Sequence, residues 1–243
     1  MNSPANATGE PNASLQTFML TDLAQYTKEK AYSANASKDF HLFFVGRDDV
    51  HSILVHVLSR ATVSIYLNMF GYDDDELNSI LMAKAVDPNI TMLITLDKSQ
   101  AGSKTEKALI ALDETQDLSA FNTHFVLGES ATHQISHTKG FVVDGKVGGE
   151  GSTNWSNSGE GTFVVASQAG GPNYKAQNNT QSIFCGPGYN QPLFRRTYCG
   201  AYDRPKAKHG KRHPDTKAGE ERNGKRRQLK SHSEFLTHLI ISS

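Results

Sequence analysis

Three times between residues 39 and 112 an apolar run of strand length gives way to a polar turn and then to apolar residues at helical spacing, and this alternation limits the fold more than any other feature. Residues 40–45 form the first run and end at Gly46; Asp48 and Asp49 follow where N-cap and first-turn carboxylates favour a helix, and Val50, Ile53, Leu54 and Leu58 supply its apolar face. Residues 62–70, with Val63, Ile65, Tyr66 and Leu67, repeat the strand, and Asp73, Asp74, Asp75 and Glu76 open a second helix through Leu77, Ile80, Leu81 and Ala85. Residues 90–96, 104–112 and 122–127 give a third strand, a third helix and a fourth strand. Helical crossovers of this kind predict an α/β fold with a mixed, largely parallel sheet flanked by helices. Residues 140–143, 162–167 and 179–184 read as short strands between Gly-rich turns, so antiparallel pairing is expected near the end.

The chain of 243 residues has no net charge, but the balance conceals a division. Residues 185–243 carry 13 Lys/Arg against 5 Asp/Glu, and residues 1–184 carry 12 against 20. There are only two cysteines, too few for a disulfide scaffold, and both, Cys185 and Cys199, also lie in the basic part. Residues 1–35, rich in Asn, Ser, Ala and Pro, read as a mobile arm; residues 36–184 as the folded domain; residues 185–243 as a basic, disordered tail. No apolar run approaches the roughly 20 residues of a membrane span and the start has no leader pattern, so a cytoplasmic location is expected.

The stretch HTKGFVVDGKVGGEGSTNWSNSGE, residues 137–160, holds the chemistry. His137 and Lys139 stand two apart; Asp144 follows after four residues, and Gly151, Ser152 and Asn154 after six more. Six fixed residues at about one chance in twenty each arise by accident in roughly one chain in several hundred thousand. This pattern resembles the H-x-K motif of the phospholipase D superfamily in the form its single-motif members carry, with a Glu, here Glu160, shortly after. The order of strands and helices across residues 40–184 is similar to that of the family's bacterial single-motif members.

The residues suit that chemistry in their own right. Neutral imidazole, with an unperturbed pKa of about 6.5, can attack a phosphodiester without metal activation, which makes His137 the expected nucleophile. Lys139, two residues along a strand, points to the same face and can bind a non-bridging phosphate oxygen. Ser152 and Asn154 stand two apart after a Gly-rich turn and are expected to bind substrate with Lys139 as an anion cradle, the Asn amide donating to a second oxygen as charge builds. Glu160 is the expected acceptor that fixes the tautomer of His137. Asp144, at a D-G-K turn that would close a tight hairpin, is read as structural or electrostatic.

The resemblance implies the phospholipase D-like fold, a covalent phosphohistidine intermediate, no metal and no cofactor. It also implies a second His that protonates the leaving oxygen. One full motif per chain then implies a homodimer in which the two His137 residues meet across a two-fold axis. A nuclease acting on DNA or RNA is the expected activity. A phospholipase D cleaving lipid head groups is the alternative, and a nucleic-acid binding protein without turnover is the non-enzymatic one.

The basic run over residues 206–230 would serve as a phosphate-binding arm. A different reading is that the tail is out of frame: residues 193–205 can be back-translated so that the next frame encodes SFAELIAEHMIA, the closing helix that the resemblance implies. Trp155 is expected to pack in the core rather than stack on a base. The acidic run from Asp73 to Glu76 is expected to mark a helix start and not a metal site.

Overall fold

The computed structural model describes residues 18–97, 102–115, 123–128, 137–168, 171–186, 188 and 190. Seven strands form one sheet: β1 (Phe40–Phe44), β2 (Ser64–Met69), β3 (Thr91–Asp97), β4 (Thr123–Gly128), β5 (Lys139–Val143), β6 (Val147–Gly151) and β7 (Thr180–Cys185). Their spatial order is β1-β7-β6-β5-β2-β3-β4. Helices α1 (Val50–Ser59), α2 (Asp75–Ala85) and α3 (Lys104–Thr115) follow the first three strands, and α4 (Asn157–Glu160) and α5 (Thr162–Val165) are single turns after β6.

The α/β class holds and the sheet is mixed, but it is not largely parallel. Only β2–β3 and β3–β4 pair in parallel. The four pairings β1–β7, β7–β6, β6–β5 and β5–β2 are antiparallel. The reason is the turn at Asp144 and Gly145, with φ of 54° and 66°. Positive φ at both central residues matches the twist of a tight hairpin, so β5 folds back on β6 and enters the sheet against β2. The crossover through α1 then spans three intervening strands instead of joining neighbours.

Strand β6, Val-Gly-Gly-Glu-Gly, has little intrinsic strand preference. It is a strand because only glycine fits: a Cβ on Gly149 would meet the Phe141 ring at 2.5 Å, and one on Gly148 would run into Phe184. Residues 162–167, expected as a strand, contain α5 instead. Gly161, at φ 67°, turns the chain, and the Val164 and Val165 amides both return to its carbonyl at 3.0 and 3.1 Å. Local geometry thus overrides the β-branched run.

The main core lies on one face of the sheet. Ile65, Leu67, Met69, Met92, Ile94, Leu96, Phe141, Val143 and Ile183 point there and meet Ile53, Leu54, Val57 and Leu58 of α1, Leu77 and Leu81 of α2 and Leu109 of α3. Tyr66, Val142 and Phe184 form a smaller cluster on the opposite face. Trp155 is fully buried between Tyr72 and Phe141, as a core residue.

The start of the domain also differs from expectation. The 3-10 helix Leu20–Tyr26 lies within the span read as a mobile arm, yet Leu20 and Leu23 are buried in the main core. The Tyr26 hydroxyl bonds His56 Nδ1 at 3.0 Å, and the Asp49 amide donates to the Tyr26 carbonyl at 2.8 Å. Two buried leucines suffice because Asp48 anchors the segment: its carboxylate accepts from the Lys28 and Phe44 amides and from the Arg47 guanidinium. No helix among the described residues is long and apolar enough to cross a membrane. The expectations for residues 1–17 and for the tail beyond Asn190 fall outside the described residues.

Candidate active site

The hairpin decides where the motif goes. Because β5 and β6 are antiparallel, with Gly140 opposite Glu150, the start of β5 and the end of β6 lie at the same edge of the sheet. His137 and Lys139 therefore sit beside Ser152 and Asn154. Met69 at the end of β2 pairs with Lys139, and Gln181 near the start of β7 pairs with Gly151, so the first turns after β2 and before β7 reach the same edge.

Lys139 is 1% exposed. Its ammonium donates to the His137 carbonyl at 2.9 Å, lies 3.2 Å from both nitrogens of the His137 ring, and stands 5.3 Å from the centroid of Phe70. Burial pushes its pKa below the ordinary lysine value. None of the ion pairs among the described residues involves it. A desolvated ammonium at the mouth of the site, in contact with a carbonyl and an imidazole and with no carboxylate among the described residues, can take an anion. His137 is exposed and its ring rests on Phe70, 4.7 Å between centroids.

Asn154 donates from Nδ2 to Gln177 Oε1 at 3.0 Å, which leaves its second amide hydrogen for a ligand. Its Oδ1 is buried without a partner among the described residues. Ser152 stitches β6 to β7: its hydroxyl donates to Asn179 Oδ1 and accepts from the Thr180 amide, both at 3.1 Å. Those bonds give Ser152 a structural task at the site's rim.

Two expected members stand elsewhere. Asp144 lies just past the far end of β5, about 16 Å along the chain from Lys139 at ~3.3 Å per residue. Its carboxylate accepts from the amides of Thr62, Val63 and Ser64 and from the Thr62 hydroxyl, at 2.8 to 3.2 Å, fastening the entry to β2. The structural half of its expected role is the one the geometry supports. Glu160 does not orient His137. It is fully buried and bonds His51 Nδ1 at 2.5 Å. The only hydrogen-bond partner of the His137 ring among the described residues is Lys139.

His51 is the residue that the sequence did not disclose. It lies in the first turn of α1, with Nε2 3.0 Å from Glu76 and Nδ1 3.5 Å from Asp74. Burial would lower its pKa, but Glu160, Glu76 and Asp74 outweigh that and raise it to about 9. Burial raises Glu160 to about 7, with the bond from His51 opposing and Asp74 and Asp73 adding to the rise. His51, Asp74 and Glu160 bring ligand-type atoms within 4.8 Å of one another, the one such group among the described residues. Both imidazole nitrogens lie within hydrogen-bond reach of carboxylates, Nδ1 of Glu160 and Nε2 of Glu76, and a proton on each nitrogen would satisfy both contacts. Asp74 is also the N-cap of α2, accepting from the Leu77 amide at 2.7 Å, so the acidic run does start a helix. Nothing local in the sequence ties His51 to a glutamate 109 residues later.

No protein-family model matches the sequence, and no curated protein does. Solved structures do. Nuc from Salmonella typhimurium, a phospholipase D family member, is 14% identical and matches with a TM-score of 0.47 over 68% of this chain and 96% of its own. NucT from Helicobacter pylori is 18% identical, with a TM-score of 0.46 over 64% and 95%. Phosphatidylserine synthase from Haemophilus influenzae Rd KW20 is 12% identical, with a TM-score of 0.52 over 69% of this chain and 38% of its own. At such identities the likeness is one of fold.

Proposed function

We propose that this chain, structurally similar over most of its described length to phospholipase D superfamily members, is a metal-independent phosphodiesterase acting on nucleic acid through a phosphohistidine intermediate. The observation that carries the proposal is Lys139: a buried ammonium without a carboxylate partner among the described residues, in contact with an exposed imidazole and on the same sheet edge as the Asn154 amide. A phosphodiester supplies the missing anion and places phosphorus beside the imidazole.

In the first step a ring nitrogen of His137 attacks phosphorus, a P–N bond forms and the ester P–O bond breaks. Lys139 and Asn154 hold the two non-bridging oxygens, where negative charge builds. The leaving oxygen takes a proton from a protonated imidazole, which we assign to His137 of a second copy across a two-fold axis. In the second step water gives a proton to that imidazole, attacks phosphorus and breaks the P–N bond. Nucleic acid is preferred as substrate because the ten Lys/Arg of residues 206–230 would follow a phosphate backbone irrespective of sequence.

The test is incubation of the protein in EDTA with plasmid DNA and, separately, with phosphatidylcholine, with His137→Ala as the blank. Cleavage of DNA that the variant lacks supports the proposal. Choline release in place of DNA cleavage would move the activity to the lipases, and DNA binding without turnover in either protein would make the fold a binding module.

A further inference from the structure

Asn154 is held from two sides, and neither side belongs to the H-x-K motif. On one, the carbonyl of the next residue, Trp155, accepts from the Asp73 and Asp74 amides at 2.9 and 3.2 Å, which ties the loop to the start of α2. On the other, α4 packs against the Asn154 backbone so closely that a Cβ on Gly159 would collide with the Asn154 carbonyl. The Ser156 amide donates to that same carbonyl at 2.9 Å. Helix α4 is a single turn, too short to hold its own place. Its neighbours hold it: the Gln177 amide donates to the Ser158 carbonyl at 2.8 Å, and Asn179 Nδ2 to the Gly159 carbonyl at 3.0 Å. Gln177 is also the side chain that orients the Asn154 amide.

The remaining anchor is at the end of α4, where Glu160 meets His51. We propose that His51 and Glu160 are a positioning pair for Asn154: the bond between them fixes α4 against the first turn of α1, and α4 in turn sets where the Asn154 amide stands in the site. This rests on the phosphodiesterase reading and adds to it a residue 86 positions before His137. Asp73, Asp74 and Glu76, from the start of α2, complete the titratable groups facing the pair. The high affinity of His51 for its proton keeps the Nδ1–H donor in place at neutral pH. One oxygen of the buried Glu160 carboxylate, Oε1, has no partner among the described residues, so the attachment of this side chain is through His51.

The experiment compares four variants on the substrate the protein cleaves. His51→Ala removes the bond. His51→Asn retains it, because an Asn Nδ2 occupies nearly the position of a His Nδ1. Glu160→Ala removes the other partner. Glu76→Gln alters only the exposed bond to Nε2. A displacement of order 1 Å at a catalytic amide costs up to about 100-fold, so His51→Ala and Glu160→Ala are expected to lower kcat by about 10- to 100-fold with KM nearly unchanged. His51→Asn should recover most of the loss and Glu76→Gln should resemble wild type. Assays run below each variant's melting temperature count folded protein only.

The side-chain amide resonances of Asn154 provide a readout independent of activity. They should move in His51→Ala and return in His51→Asn. A folded His51→Ala with wild-type kcat, or with unmoved Asn154 resonances, overturns the pair. If wild type cleaves neither substrate, the phosphodiesterase reading has failed, and the resonances alone decide whether His51 positions Asn154.

Discussion

Lys139 shows how much a single buried charge can say. A lysine that is 1% exposed and, among the described residues, donates only to a carbonyl and an imidazole is costly to bury, and an anion bound there would offset that cost. Replacing it with Met, of similar length and apolar, should leave the fold intact or firmer while weakening phosphate binding, a contrast read by comparing Tm with the Kd for a phosphodiester. Asp144 should behave in the opposite way. Asp144→Ala strips the amides of Thr62, Val63 and Ser64 of their acceptor and places alanine at φ 54°, so a loss of about 2 kcal/mol is expected by denaturant titration. The folded fraction should keep its kcat, since the carboxylate stands at the far end of β5. A motif whose spacing is fixed at both positions thus holds one residue that the proposed chemistry needs and one that fastens the hairpin to the entry of β2.

The elements were legible wherever a run of side chains matched one period. Strands β1 to β4 and helices α1 to α3 lie within a residue or three of where apolar spacing and acidic helix starts put them. Pairing was less legible, because parallel or antiparallel is decided by where a hairpin inserts, and the hairpin depends on positive φ at Asp144 and Gly145. Strand β6 was legible only through its turn, since its glycines answer to the Phe141 and Phe184 rings. Of the candidate site, the meeting of His137, Lys139 and Asn154 at one end of the sheet was readable from spacing, whereas the contact of His51 with Glu160 was not, because it is set by the approach of α1 to α4. The Leu20–Tyr26 segment was missed because Asp48, not an apolar stripe, secures it.

Asp48 makes that anchor testable. Burial alone would raise its pKa, but the Arg47 guanidinium and the Phe44 and Lys28 amides more than offset this, and the carboxyl ends below its ordinary value. A depressed carboxyl stabilises the fold above the unfolded value of about 3.9, and the contribution fades as pH falls through the folded value. Chemical denaturation of wild type should therefore weaken below about pH 4, and Asp48→Asn should be less stable at pH 7 with a flatter acid limb. The His51–Glu160 pair has the opposite sign. Both groups hold a proton more tightly folded than unfolded, at about 9 and about 7, so their contribution is lost as pH rises through those values. His51→Asn should flatten the alkaline limb.

For the whole molecule, the proposed reaction needs two copies to complete one centre. If each turnover needs His137 from both subunits, an equal mixture of wild type and His137→Ala under exchange should show about a quarter of the activity of the same total amount of wild type, because only one dimer in four is then fully wild type. A monomer sufficient for turnover would keep half. The charge division bears on substrate at the same scale: deleting residues 206–243 should weaken DNA binding and flatten its salt dependence by about 0.9 in slope for each phosphate that the tail would otherwise neutralise. The covalent step can be observed directly. Wild-type protein mixed rapidly with a phosphodiester substrate and quenched in alkali, where a phosphoramidate survives, should yield a His137 peptide carrying the phosphoryl group of the substrate. The adduct should be absent from His137→Ala, which should also be inactive. Turnover by wild type with no adduct on His137, together with undiminished turnover by His137→Ala, would contradict the account.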